Sequence, residues 1–316
     1  MVSGKVLKEP ASGFMFMDTL DRGVKGYAGG WLVRGKRYNC IVETGAGAAV
    51  PLWLAGLKQA GIPLESIRWI LLTHVHLDHA GGAGELLRHL PNARIGIHPL
   101  GVRHILDPQR LLSHAKVVWE KDFDLLGPML PAPAERVVEL GDGEIIEIDD
   151  VRRIKVLYTP GHTSHHVAFF EESTRGVFSG DALGAFFRGK HPFGEYVSMP
   201  GVSPPKGDIP AYVQSVERIA KLSPRRIYAT HFGLWEPAMP YILSATSQII
   251  TISDLCRDVF YGGGGLQDFL SRAATLLASV RQSTRGQVEL EKNYFSMAKA
   301  VWNYVVAEKG GESSPG

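Results

Sequence analysis

Cysteine is nearly absent from this chain. Cys40 and Cys256 are the only two in 316 residues. Two cysteines so far apart are no disulfide framework, and both read as small buried hydrophobes of a protein kept in a reducing compartment. Long apolar runs are missing as well. Nowhere do about 18 apolar residues run together, so no membrane span is expected. The N-terminus lacks a basic segment followed by an unbroken apolar stretch, because Glu9 and Pro10 interrupt it. No signal peptide is therefore expected, and the cytoplasm is the expected location. An excess of one charge is lacking too: 34 Lys+Arg stand against 32 Asp+Glu, a net charge of +2, which leaves no nucleic-acid footprint from charge alone. Nor is there a Gly-x-Ser-x-Gly elbow to present a serine nucleophile. The 45% hydrophobic and 21% charged composition belongs to a globular protein, long enough for two or more domains.

The pattern of what is present alternates strand and helix. Strand-like runs cover Phe14 to Leu20, Gly30 to Arg34 and Tyr38 to Thr44, then a helical pattern covers Ala49 to Ala60. Ile67 to Leu72 is short and apolar enough for a buried strand and ends at Thr73-His74. A short helix from Gly81, a strand over Arg94 to His98 and a mainly helical stretch over 100 to 133 follow. Further strands are expected at Val137-Val138, Glu144 to Ile148, Ile154 to Tyr158, Val167 to Phe170, Gly176 to Ser179 and Arg226 to Thr230, with a helix over Ile209 to Leu222. Residues 184 to 207 are rich in glycine, proline and aromatics without a clear period, which suits a long functional loop. Beyond Trp235 the strand signals stop, and helical patterns span Pro240 to Phe260, Leu266 to Val280 and Val288 to Glu308. The expected layout is a mixed α/β domain over 1–235 and a helical region over 236–316.

The most informative segment is Thr73-His74-Val75-His76-Leu77-Asp78-His79. Three imidazoles and a carboxylate this close, directly after a buried strand, cannot all be satisfied by an apolar core. On an extended backbone His74 and His76 point to one side and can share an ion, while Asp78 and His79 turn towards a second. Three further donors each follow a predicted strand: His162 after Pro160-Gly161, Asp181 after Ser179-Gly180, and His231 after Ala229-Thr230. Residues at such strand ends converge on one cleft in layered α/β folds, and Gly161 and Gly180 let the backbone approach closely just before a donor.

The order His-x-His-x-Asp-His, Pro-Gly-His-Thr, Ser-Gly-Asp and Thr-His resembles the metallo-β-lactamase superfamily over roughly residues 12 to 235. The Tyr-Ala-Thr-His-Phe-Gly ending and Ile97-His98-Pro99 look most like its microbial hydrolases, thermophilic archaeal ones included. The resemblance implies a four-layer αβ/βα sandwich with two metals at one edge. Carried over by motif, His74, His76 and His162 bind metal 1, Asp78, His79 and His231 bind metal 2, and Asp181 bridges both. Zn is the favoured metal, with Fe or Mn as alternatives. One position departs from the family: Glu43-Thr44-Gly45 stands where Asp-Thr-Gly is usual. The longer carboxylate can still orient a ligand from behind it, or serve only as a turn residue.

Two divalent ions about 3.5–4 Å apart can lower the pKa of a shared water from 15.7 towards about 7. The implied activity is hydrolysis of a small ester-type substrate (thioester, lactone, carboxylic ester or phosphoester) by a metal-bridging hydroxide, with Asp78 as ligand and catalytic carboxylate. A promiscuous phosphotriesterase or phosphodiesterase, a persulfide dioxygenase-like iron enzyme and an RNase Z-type nuclease are the alternatives. In the loop, Phe186, Phe187, Arg188 and His191 are candidate substrate contacts, with packing against the helical region as the rival role. His165 and His166 either line the cleft or cap a turn at the surface, and His98 and His104 are expected to be structural or exposed. The expected partner is a small-molecule substrate rather than nucleic acid or membrane, and the helical region either narrows the cleft or forms a homodimer interface.

Overall fold

Strand-length runs that are apolar throughout need cover on both faces. Trp31-Leu32-Val33 and Cys40-Ile41-Val42 are such runs, and they form the middle of a sheet. The computed structural model describes residues 6–191, 194–203, 207–278 and 284–311. In chain order its elements begin with strands β1 (Leu7–Ala11), β2 (Phe14–Asp18), β3 (Gly29–Arg34) and β4 (Asn39–Val42), helix α1 (Val50–Gln59) and strand β5 (Ile67–Leu71). Helices α2 (Leu77–Ala80) and α3 (Ala83–His89), strand β6 (Arg94–Ile97), and helices α4 (Pro99–Leu106) and α5 (Gln109–Trp119) follow. Then come strands β7 (Val137–Glu139), β8 (Ile145–Asp149), β9 (Arg152–Tyr158), β10 (Val167–Glu171), β11 (Gly176–Phe178), β12 (Ala185–His191) and β13 (Gly194–Met199). Helix α6 (Ile209–Lys221), strands β14 (Arg226–Ala229) and β15 (Gly233–Trp235), and helices α7 (Ala238–Tyr261), α8 (Leu266–Ala278) and α9 (Thr284–Gly311) complete the chain.

Two units are distinguished. The first comprises Met1–Tyr158, His165–Gly180 and Pro224–Glu236; the second comprises Thr159–Ser164, Asp181–Ser223 and Pro237–Gly316. In the first unit, β1 to β7 form one sheet in sequence order, antiparallel up to β4 and parallel from β4 to β7. A second sheet runs β15-β14-β11-β10-β9-β8, with β11 and β14 its parallel pair. The pleat sorts the apolar runs by face. Leu32, Ile41, Ile70 and Ile95 cluster with Trp53 and Leu57 of α1 and Leu86 and Leu87 of α3. Trp31, Val33, Cys40, Val42 and Leu71 cluster with Ile154, Val156, Val167, Phe169 and Tyr228 of the second sheet. Aromatic rings tie this inter-sheet core together: Tyr228 stacks on Phe14 and on Phe178, both at 4.6 Å, and meets the Trp31 ring at 4.9 Å. Trp31 Nε1 also donates to the Ala229 carbonyl at 3.2 Å.

In the second unit β12 and β13 pair antiparallel, with Ala185 opposite Met199. Helix α6 starts at Asp208, whose carboxylate accepts from the Ala211 N–H at 3.0 Å and caps the first turn. Along α7 the buried residues Ile242, Ala245, Ile249, Ile252, Cys256 and Val259 recur at three and four, the spacing of a helix buried along one stripe. The Trp302 ring of α9 packs against Phe260 and Phe269. Among the described residues no helix is long and apolar enough to cross a membrane, and Cys40 and Cys256 are free and buried.

Three features differ from the sequence reading. Residues 184 to 207 were expected to lack regular structure, and they contain the β12–β13 hairpin: its pairing depends on backbone hydrogen bonds, which the irregular mix of glycine, proline and aromatics does not announce. Strand β1 was not expected because it lies at a sheet edge, where Lys8, Glu9 and Pro10 stay exposed and no apolar alternation is needed. Strand β15, also at an edge, is only three residues long.

The inter-sheet core makes one prediction. Trp31→Ala removes a fully buried ring from the aromatic stack and should cost about 3–5 kcal/mol of unfolding free energy. Denaturant unfolding measures it; a loss below about 1 kcal/mol would mean that the two sheets do not depend on this stack.

Candidate metal centre

Strand β5 delivers the histidine-rich segment. It lies between β4 and β6 in the parallel half of the first sheet, and the chain turns into α2 just after it, with His76 at the N-cap. His74 and His79 are fully buried. His74 Nε2 and His76 Nδ1 lie 3.0 Å apart, and His74 Nδ1 lies 3.0 Å from Thr73 Oγ1. His231, which follows β14 by two residues, comes to the same place. Its Nε2 is 3.5 Å from Asp78 Oδ2, and His79 Nε2 is 3.7 Å from that oxygen. One donor atom from each of Asp78, His79 and His231 falls within 4.8 Å of the others. The His74 and His79 ring centres are 4.1 Å apart. The first unit thus brings together five of the seven predicted donors.

The ring nitrogens facing away from this cluster are tied down. His231 Nδ1 donates to the Tyr27 carbonyl at 2.7 Å. A carbonyl only accepts, so Nδ1 carries a proton and Nε2 is the nitrogen that faces Asp78. His79 Nδ1 makes a short hydrogen bond to the Glu43 carboxylate, which orients its Nε2 the same way. The other Glu43 oxygen accepts the Thr73 backbone N–H at 2.7 Å. Glu43 therefore holds a ring and the strand end with one buried carboxylate. It does so from a left-handed backbone conformation (φ 65°), uncommon for a residue with a side chain. Thr44 adds two bonds to the His79 carbonyl, from its N–H at 2.8 Å and its hydroxyl at 3.0 Å.

The remaining two donors form a pair in the second unit. His162 Nε2 is 3.2 Å from Asp181 Oδ2, and His162 Nδ1 donates to the Gly201 carbonyl at 3.0 Å. The glycines before them are needed. Gly161 has φ 129°, and a Cβ there would lie 2.4 Å from Tyr212 Cα; Gly180 has φ 47°, and a Cβ there would lie 2.5 Å from Thr73 Oγ1.

Partial burial pushes the Asp78 pKa up, but His79, His231, His76 and Arg22 act the other way and bring it to about 2. That Arg22 contribution was not read from the sequence. Arg22 is buried, ion-pairs with Asp21 at 2.6 Å, and stacks over the Trp119 ring at 3.9 Å and the Tyr27 ring at 4.7 Å. Tyr27 serves His231 through its backbone carbonyl, a contact with no residue signature, so only the basic turn between two strands could have pointed there. His166 is fully buried 5.0 Å from the His74 ring, and burial together with His79, His165 and His76 drives its pKa well below the usual histidine value. His98 is structural: its Nδ1 accepts the Leu100 N–H at 3.0 Å and caps α4. The side chains of Phe186, Phe187, Arg188 and His191 lie outside the described residues.

A family model described as the metallo-beta-lactamase superfamily matches residues 30–231. The chain belongs to this superfamily. Among curated relatives, the metallo-beta-lactamase fold-containing protein ST1585 of Sulfurisphaera tokodaii is 25% identical over 226 residues, covering 70% of this chain and 81% of that protein. The solved archaeal superfamily structure, ST1585 from Sulfolobus tokodaii, superposes with a TM-score of 0.64 at 20% identity, over 87% of this chain and 93% of that one. That likeness carries the fold: an α/β metallo-β-lactamase sandwich with a helical C-terminal region. Acyl-coenzyme A thioesterase MBLAC2 of Gallus gallus is 26% identical over 250 residues, covering 72% of this chain and 80% of that protein. Hydroxyacylglutathione hydrolase of Aliivibrio fischeri is 31% identical over 153 residues, 48% of this chain and 46% of that protein, so the match spans about half of each.

The superfamily site makes Glu43 testable. Glu43→Gln keeps the shape but removes the charge behind His79, and should weaken metal binding by about 10–100-fold while the chain stays folded. Glu43→Asp is one methylene shorter and should lose one of the two bonds, to His79 or to Thr73, with a smaller loss of affinity. Metal titration and melting temperature on the same proteins check this. If both variants lose thermal stability but bind metal as the parent does, Glu43 is only a structural residue.

Proposed function

We propose that this metal-dependent hydrolase binds two divalent ions and cleaves the thioester of a small acyl substrate. Carried over from the superfamily motif, His74, His76 and His162 would hold one ion and Asp78, His79 and His231 the other, with Asp181 shared. Imidazole nitrogens and carboxylate oxygens are a donor set that suits zinc and equally iron or manganese. One observation carries the fit. His79, His162 and His231 each commit Nδ1 to an acceptor, namely Glu43, the Gly201 carbonyl and the Tyr27 carbonyl, so each presents Nε2 as a ready ligand.

When bound, such ions supply Lewis acidity towards a carbonyl and a water acidic enough to ionise near neutral pH. The chain's own residues do the rest. With a pKa of about 2, Asp78 carries no proton at neutral pH. Its carboxylate is therefore placed to accept a hydrogen bond from the attacking water and fix its direction, rather than to store a proton. A thiol has a pKa near 8.5, so the sulfur can depart as thiolate and needs no dedicated proton donor. Burial of His74, His79 and His166 keeps bulk water from competing for these groups. The thioester, rather than another ester, is favoured by the named activity of MBLAC2, which matches over most of both chains.

Elemental analysis and a substrate panel of thioester, lactone, phosphotriester, phosphodiester and β-lactam test this reading on one preparation. About two ions per chain are expected, together with a thioester preference. His231→Ala should lower the stoichiometry towards one, and Asp181→Asn should weaken both sites. At most one ion after saturation with zinc, iron or manganese would sink the dinuclear assignment. Efficient cleavage of another bond class with no thioester turnover would sink the substrate assignment.

A further inference from the structure

The first unit carries a second group of basic side chains, beside the histidine loop, that the chemistry above leaves unused. His165 neighbours both His74 and His104, with its ring centre 6.5 Å from the first and 6.3 Å from the second. Its Nε2 accepts the Val75 N–H at 3.4 Å, and His104 Nε2 accepts from Arg103 Nε at 3.2 Å. Both partners can only donate, so each ring is a neutral imidazole whose proton sits on Nδ1. Two N–H donors are thus set side by side next to the metal loop.

Positive charge lies beside them. Arg103, Arg110 and Lys116 are exposed on α4 and α5. The single acidic residue between Pro99 and Trp119 is Asp107, and its carboxylate is occupied in capping α5 through the Gln109 N–H at 3.1 Å. After burial, the groups that depress the His104 pKa are Arg103, Arg110 and His114, all of them basic. Among the described residues neither Arg103 nor Arg110 is paired with a carboxylate, whereas Arg152, Arg153, Arg225, Arg226 and Arg257 are. The whole chain has a net charge of only +2, so this face is a local excess. Cations left unpaired beside a site concentrate anionic ligands there.

The geometry points to a subsite on the α4–α5 face for the phosphate-bearing end of coenzyme A, with Arg103 and Arg110 meeting the phosphates and His104 and His165 donating to the amide carbonyls of the arm. It rests on the thioesterase reading. In an acyl-CoA the reacting carbonyl and the phosphates sit at opposite ends of a long arm whose middle carries amides. A protein that holds both ends must set its phosphate-binding cations away from its metals. Here they stand beyond two successive ring-to-ring steps from His74, and the groups in between are neutral donors rather than further charges.

The test uses the full, metal-loaded chain with butyryl-CoA and the phosphate-free thioester S-butyryl-N-acetylcysteamine. In Arg103→Glu/Arg110→Glu, KM for butyryl-CoA should rise about tenfold with kcat little changed. Both constants for the truncated thioester should stay at the parent level. Melting temperature should not move, because both side chains are exposed. Equal effects on the two substrates, or none on butyryl-CoA, would overturn the subsite. Calorimetric titration with adenosine 3′,5′-bisphosphate reads the same subsite without turnover: binding is expected in the parent and should be lost in the charge-reversed variant. If neither thioester is cleaved while the bisphosphate binds, the thioesterase reading fails and the subsite stands. If both thioesters are cleaved and the bisphosphate does not bind, the reverse holds.

Discussion

An imidazole has two nitrogens, and fixing one decides what the other can do. In this protein Nδ1 of His79, His162 and His231 is each held by an acceptor, and the choice of acceptors governs much of the local architecture. A ring without such a partner could flip or exchange tautomers and would present a proton where a lone pair is needed. The acceptors are themselves buried, and a buried carbonyl or carboxylate without its donor costs roughly 1–3 kcal/mol or more. The pairing therefore stabilises both sides at once, and neither the histidines nor their supports can be changed alone.

Strand topology brings these supports to one edge. Strands β3 and β4 are antiparallel, with Trp31 opposite Val42, while β4 and β5 are parallel, with Val42 opposite Leu71. The start of β3, the end of β4 and the end of β5 therefore meet at the same end of the sheet. Tyr27, Glu43 and Thr73-His74 occupy those three positions. A hydrogen bond from the Gly29 N–H to the Thr230 carbonyl, 3.0 Å, joins this edge to the strand that delivers His231. Register, set by the alternation of apolar residues through the two cores, thus fixes the aim of the polar ones.

The histidine loop was legible in the sequence because three imidazoles and a carboxylate in one short segment have no apolar explanation. His162, Asp181 and His231 were legible because each follows a strand pattern, two of them after a glycine. Glu43 was legible only through the superfamily motif; that its two oxygens divide between a ring and a backbone N–H could not be read. The Tyr27 carbonyl and the buried Arg22 escaped entirely. A backbone acceptor has no residue identity, and Arg22 in a turn between strands looks like any exposed arginine until Trp119, far along the chain, is seen to cover it. Edge strands β1 and β15 escaped for the opposite reason, since a strand with an open side needs no hydrophobic pattern.

Charge ties these observations together. Glu43 and Asp78 place two carboxylates around His79, one on each ring nitrogen's side. Arg22 is the single buried arginine among the described residues, and Asp21 already pairs with it at 2.6 Å. The neutral state of His166 adds no positive charge. The imidazoles and Arg22 around Asp78 keep its carboxylate ionised. A divalent ion would bring more charge into the cluster than any protonated side chain and invert the local balance. Asp78, held ionised by His79, His231, His76 and Arg22, would meet such an ion already charged. An ion held by the folded chain and not by the unfolded one would couple its binding to folding, each stabilising the other.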